Sequence, residues 1–189
     1  MNLPNRLTIL RLILTLPFVA ALSLQFPGAK WLALCLFIVS SFTDYADGVI
    51  ARKYKLITDF GKLMDPLVDK IMTMSAFICL VALGSIPAWA VIVIVSREFL
   101  ITGLRLMAAV RGKVLAAERL GKLKTVLQIV TILFCLIVVA IIDQFGRLDP
   151  PVVTFLNSAG LALVFFTVGL TLWSGISYFA KNWDLVSES

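Results

Sequence analysis

The chain has 189 residues and a net charge of +6, and 60% of its side chains are hydrophobic while only 15% are charged. With a mean hydropathy of +1.01, this composition excludes an ordinary soluble domain, in which about 25% of residues are charged, and it indicates a membrane protein. The absence of histidine excludes imidazole bases and histidine metal ligands, and three isolated cysteines fit neither a disulfide framework nor a zinc site.

Six apolar windows fill nearly the whole sequence, which predicts an all-α integral membrane protein with six transmembrane helices in a single domain covering 1–189. Turn signals separate the windows, for example Pro27-Gly28 and Gly84-Ser85-Ile86-Pro87. The predicted spans cover about 7–26, 31–52, 63–83, 87–110, 122–142 and 152–180.

Lysines and arginines are distributed unevenly over the connections between these windows. The first and fifth connections contain Lys30 and Arg147, and the third contains none. The second and fourth are rich in basic residues, namely Arg52, Lys53, Lys55, Lys62, Arg111, Lys113, Arg119, Lys122 and Lys124. The positive-inside rule therefore predicts that these two connections and both termini are cytoplasmic, in the inner or plasma membrane of the cell.

Four aspartates interrupt the second and third windows near the predicted cytoplasmic face. Asp44 and Asp47 are three residues apart, and Asp65 and Asp69 are four apart, so each pair lies on one face of its helix. The short link makes the two helices antiparallel neighbours, which brings both pairs together. Unpaired carboxylates are costly in a membrane, and four oxygen ligands without histidine or paired cysteine favour Mg²⁺, Mn²⁺ or Ca²⁺.

Two other interpretations of the aspartates remain open from the residues alone. They would pair with basic neighbours at the headgroup level, although this pairing does not require Gly48 beside Asp47 or Gly61 four residues before Asp65. Glycines at such positions leave room for a phosphate or sugar near the backbone. Alternatively, the aspartates would line the ion pathway of a small cation transporter, although such a pathway needs acidic residues at several depths.

The complete pattern is Asp44-x2-Asp47-Gly48-x2-Ala51-Arg52-x8-Gly61-x3-Asp65-x3-Asp69. It resembles, at all eight defining positions, the motif of the CDP-alcohol phosphotransferases. These membrane enzymes transfer a phosphoryl-linked lipid from a cytidine diphosphate carrier to an alcohol and release CMP. The six-span layout also agrees with this family, so the resemblance covers essentially the whole chain.

The resemblance implies a role for each matching residue. Two Mg²⁺ or Mn²⁺ ions would share Asp44, Asp47, Asp65 and Asp69. Asp69 resembles the general base that takes the proton of the acceptor hydroxyl, and Asp65 belongs to the same catalytic group. Contacts to the CDP-diacylglycerol carrier are implied for Gly48, Arg52, Thr58 and Gly61. The family further implies a homodimer.

Three other stretches narrow the choice of substrates. Asn5-x2-Thr8-x2-Arg11 resembles an early nucleotide-contacting turn of bacterial members, and its alternative is a capped helix start with Arg11 snorkelling to the interface. Ser96-Arg97-Glu98-x3-Thr102-Gly103-x-Arg105 and Gly121-Lys122-x-Lys124-Thr125 resemble stretches found in the phosphatidylglycerophosphate synthases of this family.

An acceptor that carries its own phosphate explains this concentration of positive charge. The predicted glycerol-phosphate-binding residues are Arg97, Thr102, Arg105, Arg111, Lys122 and Lys124. The sequence therefore predicts transfer of a phosphatidyl group from CDP-diacylglycerol to sn-glycerol 3-phosphate, with membrane lipids but no nucleic acid as further partners. Inositol phosphate, or phosphatidylglycerol as in one class of cardiolipin synthase, is the alternative acceptor. The connecting lysines would otherwise contact anionic lipid headgroups.

Overall fold

The computed structural model describes the backbone of residues 3–54, 59–112, 115, 119–146 and 148–184. Within these ranges, the side chains at positions 3–8, 44–54, 59–67, 69 and 119 lie outside the description. Every structural statement below concerns this part of the chain.

The described residues form six α-helices and no strands, as the apolar windows predict. Their bounds are α1 Leu3–Ser23, α2 Ala29–Tyr54, α3 Asp59–Ala82, α4 Ala88–Val110, α5 Arg119–Phe145 and α6 Pro150–Lys181. The basic connection before the fifth helix is shorter than predicted, because α5 begins at Arg119 and includes Lys122 and Lys124. Arg52 and Gly61 likewise lie within α2 and α3 rather than between them.

The turn between α3 and α4 follows the predicted glycine and proline signals. Gly84 has a φ of +72°, a left-handed conformation that glycine adopts without strain. The backbone N–H of Ser85 donates to the carbonyl of Leu80 at 2.9 Å and so satisfies one of the last carbonyls of α3. Pro87 occupies the N-cap position of α4. This turn therefore ends α3 and sets where α4 begins.

One main core holds the bundle together. Its largest fully buried side chains include Phe18 of α1, Phe37 of α2 and Phe77 of α3, and the rings of Phe18 and Phe37 have centroids 5.9 Å apart. Helix α1 packs on α2 and α3, while α5 packs on α6 and α2 and thereby closes the bundle. A smaller cluster joins α4 to α6 through Ile101, Leu104, Ala108 and Tyr178.

Besides its apolar core, the bundle buries several polar side chains and exposes many large apolar ones, which is unusual for a soluble protein. Thr131 and Thr167 are fully buried and share a 2.7 Å hydrogen bond between α5 and α6, whereas Leu16, Phe42 and Trp173 are largely exposed. Among the described residues, the helices Leu120–Phe145 and Pro150–Lys181 are long and apolar enough to cross a membrane. Shorter apolar helical segments are Ile9–Ser23, Ala29–Thr43 and Lys70–Ala82. An exterior of this kind suits contact with lipid.

Candidate functional site

The six helices enclose a cavity of about 890 Å³ between them. It extends toward the end of the bundle at which α4 and α6 finish and α1 and α5 begin. Each helix contributes to its lining, for example Arg11 of α1, Ser40 of α2, Lys70 of α3, Arg97 of α4, Lys124 of α5 and Tyr178 of α6. Its volume lies within the range of about 300–1,000 Å³ that is typical of small-molecule sites.

The charged side chains that line this cavity are mostly positive. Among the described lining residues there are six cations and one carboxylate, namely Arg11, Lys70, Arg97, Arg105, Lys122, Lys124 and Glu98. Cationic groups inside a membrane protein are costly unless they meet an anion. The described lining is therefore rich in groups that can donate charge-assisted hydrogen bonds to an anionic ligand.

Glu98 connects two of the cationic groups across helices α4 and α5. Its Oε1 forms an ion pair with the Lys124 ammonium and lies 3.5 Å from Nη1 of Arg97. All three side chains are largely buried, where an unpaired charge would be strongly unfavourable. Glu98 therefore holds two anion-binding groups side by side.

Arg97 is held in place from the opposite side by α6. Its Nη2 donates a 3.1 Å hydrogen bond to Oγ of Ser174. A Cβ atom built on Gly175 would lie only 3.0 Å from Cγ of Arg97, so the glycine leaves the space that the arginine stem occupies. Two adjacent residues of α6 thus determine where this guanidinium lies.

Arg105 lies two turns further along α4 and is positioned by Tyr178. Its Nε donates to the Tyr178 hydroxyl at 3.1 Å, and its guanidinium carbon lies 5.3 Å from the centroid of the same ring. A cation over an aromatic face gains about 0.5–2 kcal/mol. Tyr178 therefore orients Arg105 without neutralising it, and the positive charge stays available to an anion.

Lys70 joins α3 to this group through Thr102. Its ammonium donates to Oγ1 of Thr102, and the same hydroxyl donates to the carbonyl of Glu98 at 2.7 Å. Lys70 directly follows Asp69 in α3. The hydrogen bond thus places the backbone of the predicted general base next to the basic side of the cavity.

The structure brings together five of the six predicted glycerol-phosphate-binding residues, since the lining includes Arg97, Thr102, Arg105, Lys122 and Lys124. Arg111 is not among them, because it is the exposed C-cap residue of α4. Helix geometry explains the difference: Thr102 and Arg105 follow Glu98 by four and seven residues and so share one face of α4, whereas Arg111 lies beyond the last residue of that helix.

For the predicted metal-binding and carrier-binding residues, the structure shows at most the helix on which each residue lies. Asp44 and Asp47 lie in α2 and Asp65 and Asp69 in α3, and their side chains are outside the described residues. The same holds for Gly48 and Arg52 in α2, Gly61 in α3, and Asn5 and Thr8 in α1, while Thr58 is outside the described residues altogether. On the backbone, Asp44 follows the cavity residue Ser40 by one turn.

Arg11 is only 2% exposed and lines the cavity. A snorkelling arginine would extend its guanidinium to the water interface, so that alternative for the Asn5-Thr8-Arg11 stretch is wrong for Arg11. The arginine belongs to the same positive interior as the residues of α4 and α5.

Several cavity residues were not predicted as site residues. They are Lys70, Ser40, Gln128, Ser174 and Tyr178. A signal existed for the last two, because Ser174 and Tyr178 are polar residues one helical turn apart in a strongly apolar window. Isolated polar residues inside membrane helices generally face the protein interior.

Comparison with known proteins agrees with the geometry. A family model described as CDP-alcohol phosphatidyltransferase matches residues 1–173. The chain is 42% identical to a CDP-diacylglycerol--glycerol-3-phosphate 3-phosphatidyltransferase of Bacillus subtilis, with 100% of this chain and 98% of that protein covered. Proteins of the same name from Rickettsia bellii (33% identity, 94% and 93% covered) and Cereibacter sphaeroides (31%, 95% and 95%) are also similar. These matches confirm the resemblance found in the motif, and the chain belongs to the CDP-alcohol phosphatidyltransferase family.

Proposed function

We propose that this chain transfers the phosphatidyl group of CDP-diacylglycerol to sn-glycerol 3-phosphate and so produces phosphatidylglycerol phosphate and CMP. The observation that carries the proposal is the cavity whose described lining includes six cations and one carboxylate, joined through Lys70 to the helix that carries Asp65 and Asp69. The names of the similar bacterial proteins state the same reaction for those proteins.

The charge of the cavity favours an acceptor with a phosphate group. Arg97 and Lys124 are held side by side by Glu98, and Arg105 is positioned by Tyr178. A phosphate monoester accepts charge-assisted hydrogen bonds from several such groups at once. A neutral alcohol would not form these charge-assisted hydrogen bonds.

The reaction proceeds as a direct displacement at phosphorus. Asp69 takes the proton of the C1 hydroxyl of glycerol 3-phosphate, and that oxygen forms a bond to the β-phosphorus of the carrier. The bond between this phosphorus and the CMP oxygen breaks, and CMP leaves with the electron pair. Throughout, the basic residues of α4 and α5 hold the acceptor phosphate and so fix the hydroxyl in the attacking position.

The donor set of α2 and α3 fits divalent metal ions. Asp44, Asp47, Asp65 and Asp69 supply only hard carboxylate oxygens, which suit Mg²⁺ or Mn²⁺. Two ions held there would offset the negative charge of the diphosphate. The carrier itself contacts Asn5, Thr8, Gly48, Arg52, Thr58 and Gly61 in this proposal.

The proposal also includes a membrane arrangement. All six helices span the inner or plasma membrane, both termini and the cavity opening face the cytoplasm, and the diacyl chains of the carrier stay in the lipid. The apolar exterior of the bundle and the basic second and fourth connections support this arrangement. A homodimer is proposed from the family resemblance alone.

The acceptor is tested by an assay of CMP release. Purified protein in lipid nanodiscs is given CDP-diacylglycerol and, in separate reactions, glycerol 3-phosphate, inositol phosphate, phosphatidylglycerol or glycerol. We expect glycerol 3-phosphate to give a kcat/KM at least about tenfold above every other acceptor, which corresponds to ~1.4 kcal/mol. An equal or faster rate with another acceptor would contradict the proposal.

Gly175→Ala is expected to weaken acceptor binding, because the new methyl group would displace the stem of Arg97. We expect the KM for glycerol 3-phosphate to rise about threefold to tenfold, since small displacements of a positioning group are costly. The matched control is Gly169→Ala on the same helix, where a Cβ would meet no atom within 4 Å. If the two substitutions raise the KM equally, the increase results from a disturbance of α6 and not from displacement of Arg97.

A further inference from the structure

Two buried polar side chains in the cavity have no hydrogen-bond partner among the described residues. They are Gln128 of α5, whose Nε2 lacks an acceptor, and Ser40 of α2, whose Oγ lacks any partner. Gln128 is 5% exposed and Ser40 is 0% exposed, and both line the cavity. Buried polar groups are nearly always paired in folded proteins, so these two point to a ligand that enters the cavity.

Gln128 and Ser40 each lie one helical turn from a charged residue on the same helix. Gln128 follows Lys124 by four residues, so the two side chains share one face of α5. Ser40 precedes Asp44 by four residues on α2, and α2 packs against α5. The two polar residues therefore connect the basic side of the cavity with the helix that carries Asp44 and Asp47.

The other described hydroxyls that approach the anion-binding groups are already paired. Thr102 accepts from Lys70 and donates to the carbonyl of Glu98. Ser174 accepts from Arg97 and donates to the carbonyl of Thr171. The Tyr178 hydroxyl accepts from Arg105. The Nε2 atom of Gln128 and the Oγ atom of Ser40 differ from these hydroxyls because they have no partner among the described residues, so they are the groups suited to a neutral part of the ligand.

We propose that Gln128 and Ser40 form a subsite for the C2 hydroxyl of glycerol 3-phosphate and thereby select the acceptor. This inference rests on the proposed function. The phosphate of the acceptor meets the cations and its C1 hydroxyl meets the carboxylates, so the C2 hydroxyl lies between them on a three-carbon chain. The Gln128 amide donates to the C2 oxygen, and this hydroxyl donates in turn to Ser40.

A comparison of two acceptors isolates this contact. 3-Hydroxypropyl phosphate has the phosphate and the reacting hydroxyl of glycerol 3-phosphate but lacks the C2 hydroxyl. In the wild-type protein, kcat/KM is expected to be about tenfold to hundredfold lower for this analogue, because the buried polar groups stay unpaired. In Gln128→Met, which keeps the side-chain volume, kcat/KM for glycerol 3-phosphate is expected to fall about tenfold while the analogue changes by less than about twofold.

The control is Thr131→Val on the same helix, because Thr131 is a buried residue outside the cavity and bonded to Thr167. It is expected to leave the ratio of the two acceptors unchanged. If Gln128→Met does not fold, Ser40→Ala is measured in its place with the same selective loss expected. A parallel loss for both acceptors, or no loss for either, would overturn the subsite. A wild-type protein that prefers another acceptor would instead contradict the proposed function.

Discussion

Asp69→Asn is expected to lower CMP release by about a thousandfold, because the amide cannot take the proton of the acceptor hydroxyl and general base catalysis contributes a factor of about 10²–10⁴. The substitution keeps the shape of the side chain, so CDP-diacylglycerol should still bind. The measurements are single-turnover CMP release and equilibrium binding of the labelled carrier to the protein in nanodiscs.

The control for this variant is Asp149→Asn. Asp149 is an exposed N-cap residue of α6 whose side chain makes no capping hydrogen bond, so its substitution should leave CMP release within about twofold of the wild type. Treatment of the wild type with EDTA should lower the rate of CMP release as much as Asp69→Asn does, and Mg²⁺ or Mn²⁺ should restore the rate. Retention of more than a tenth of the wild-type rate in Asp69→Asn would rule out this residue as the base.

Arg97→Met is expected to lower kcat/KM for glycerol 3-phosphate by about a hundredfold, since a charge-assisted hydrogen bond to a phosphate contributes about 1.5–3 kcal/mol. The loss should be mainly in KM, because the proposed role of Arg97 is to bind the acceptor phosphate away from the reacting oxygen. Arg97→Lys should recover only part of the activity, because an ammonium cannot reproduce the two parallel donors of a guanidinium.

Lys181→Met is the matched control for the lost positive charge. Lys181 is an exposed residue in the last turn of α6, outside the cavity lining. It is expected to change kcat/KM by less than about threefold, because exposed charges are screened by salt. If Lys181→Met and Arg97→Met cause equal losses, the effect belongs to the overall charge of the protein and not to the cavity.

The sequence was sufficient to predict the six helices, because each apolar window ends at a residue with a physical reason to end it. Gly84 and Pro87 fix one such boundary, and Pro150 opens α6. The start of α5 was less predictable. Lys122 and Lys124 are cations in the first turns of a helix, where the helix dipole disfavours them. The pairing of Lys124 with Glu98 of another helix compensates for the position of Lys124.

The residues that line the cavity were predictable only in part, because their positions also depend on contacts between different helices. Spacing along α4 groups Glu98, Thr102 and Arg105 on one face of the helix, and the structure places all three in the cavity lining. Spacing does not indicate which side of another helix faces that group. The contributions of Lys70, Gln128 and Tyr178 depend on how α3, α5 and α6 are rotated within the bundle, and this rotation depends on packing between distant parts of the chain.

The exposed leucines and phenylalanines of this bundle also determine which substitutions its surface tolerates. In a water-soluble protein, positions such as Leu16 or Phe42 would be the safest places for a lysine or glutamate. Here both side chains are largely exposed on an apolar exterior, and a charge at such a position would face hydrocarbon. The best tolerated replacements at these positions are other apolar residues of any shape. A mutant library that places polar residues at exposed positions would therefore contain many variants that insert poorly into the membrane.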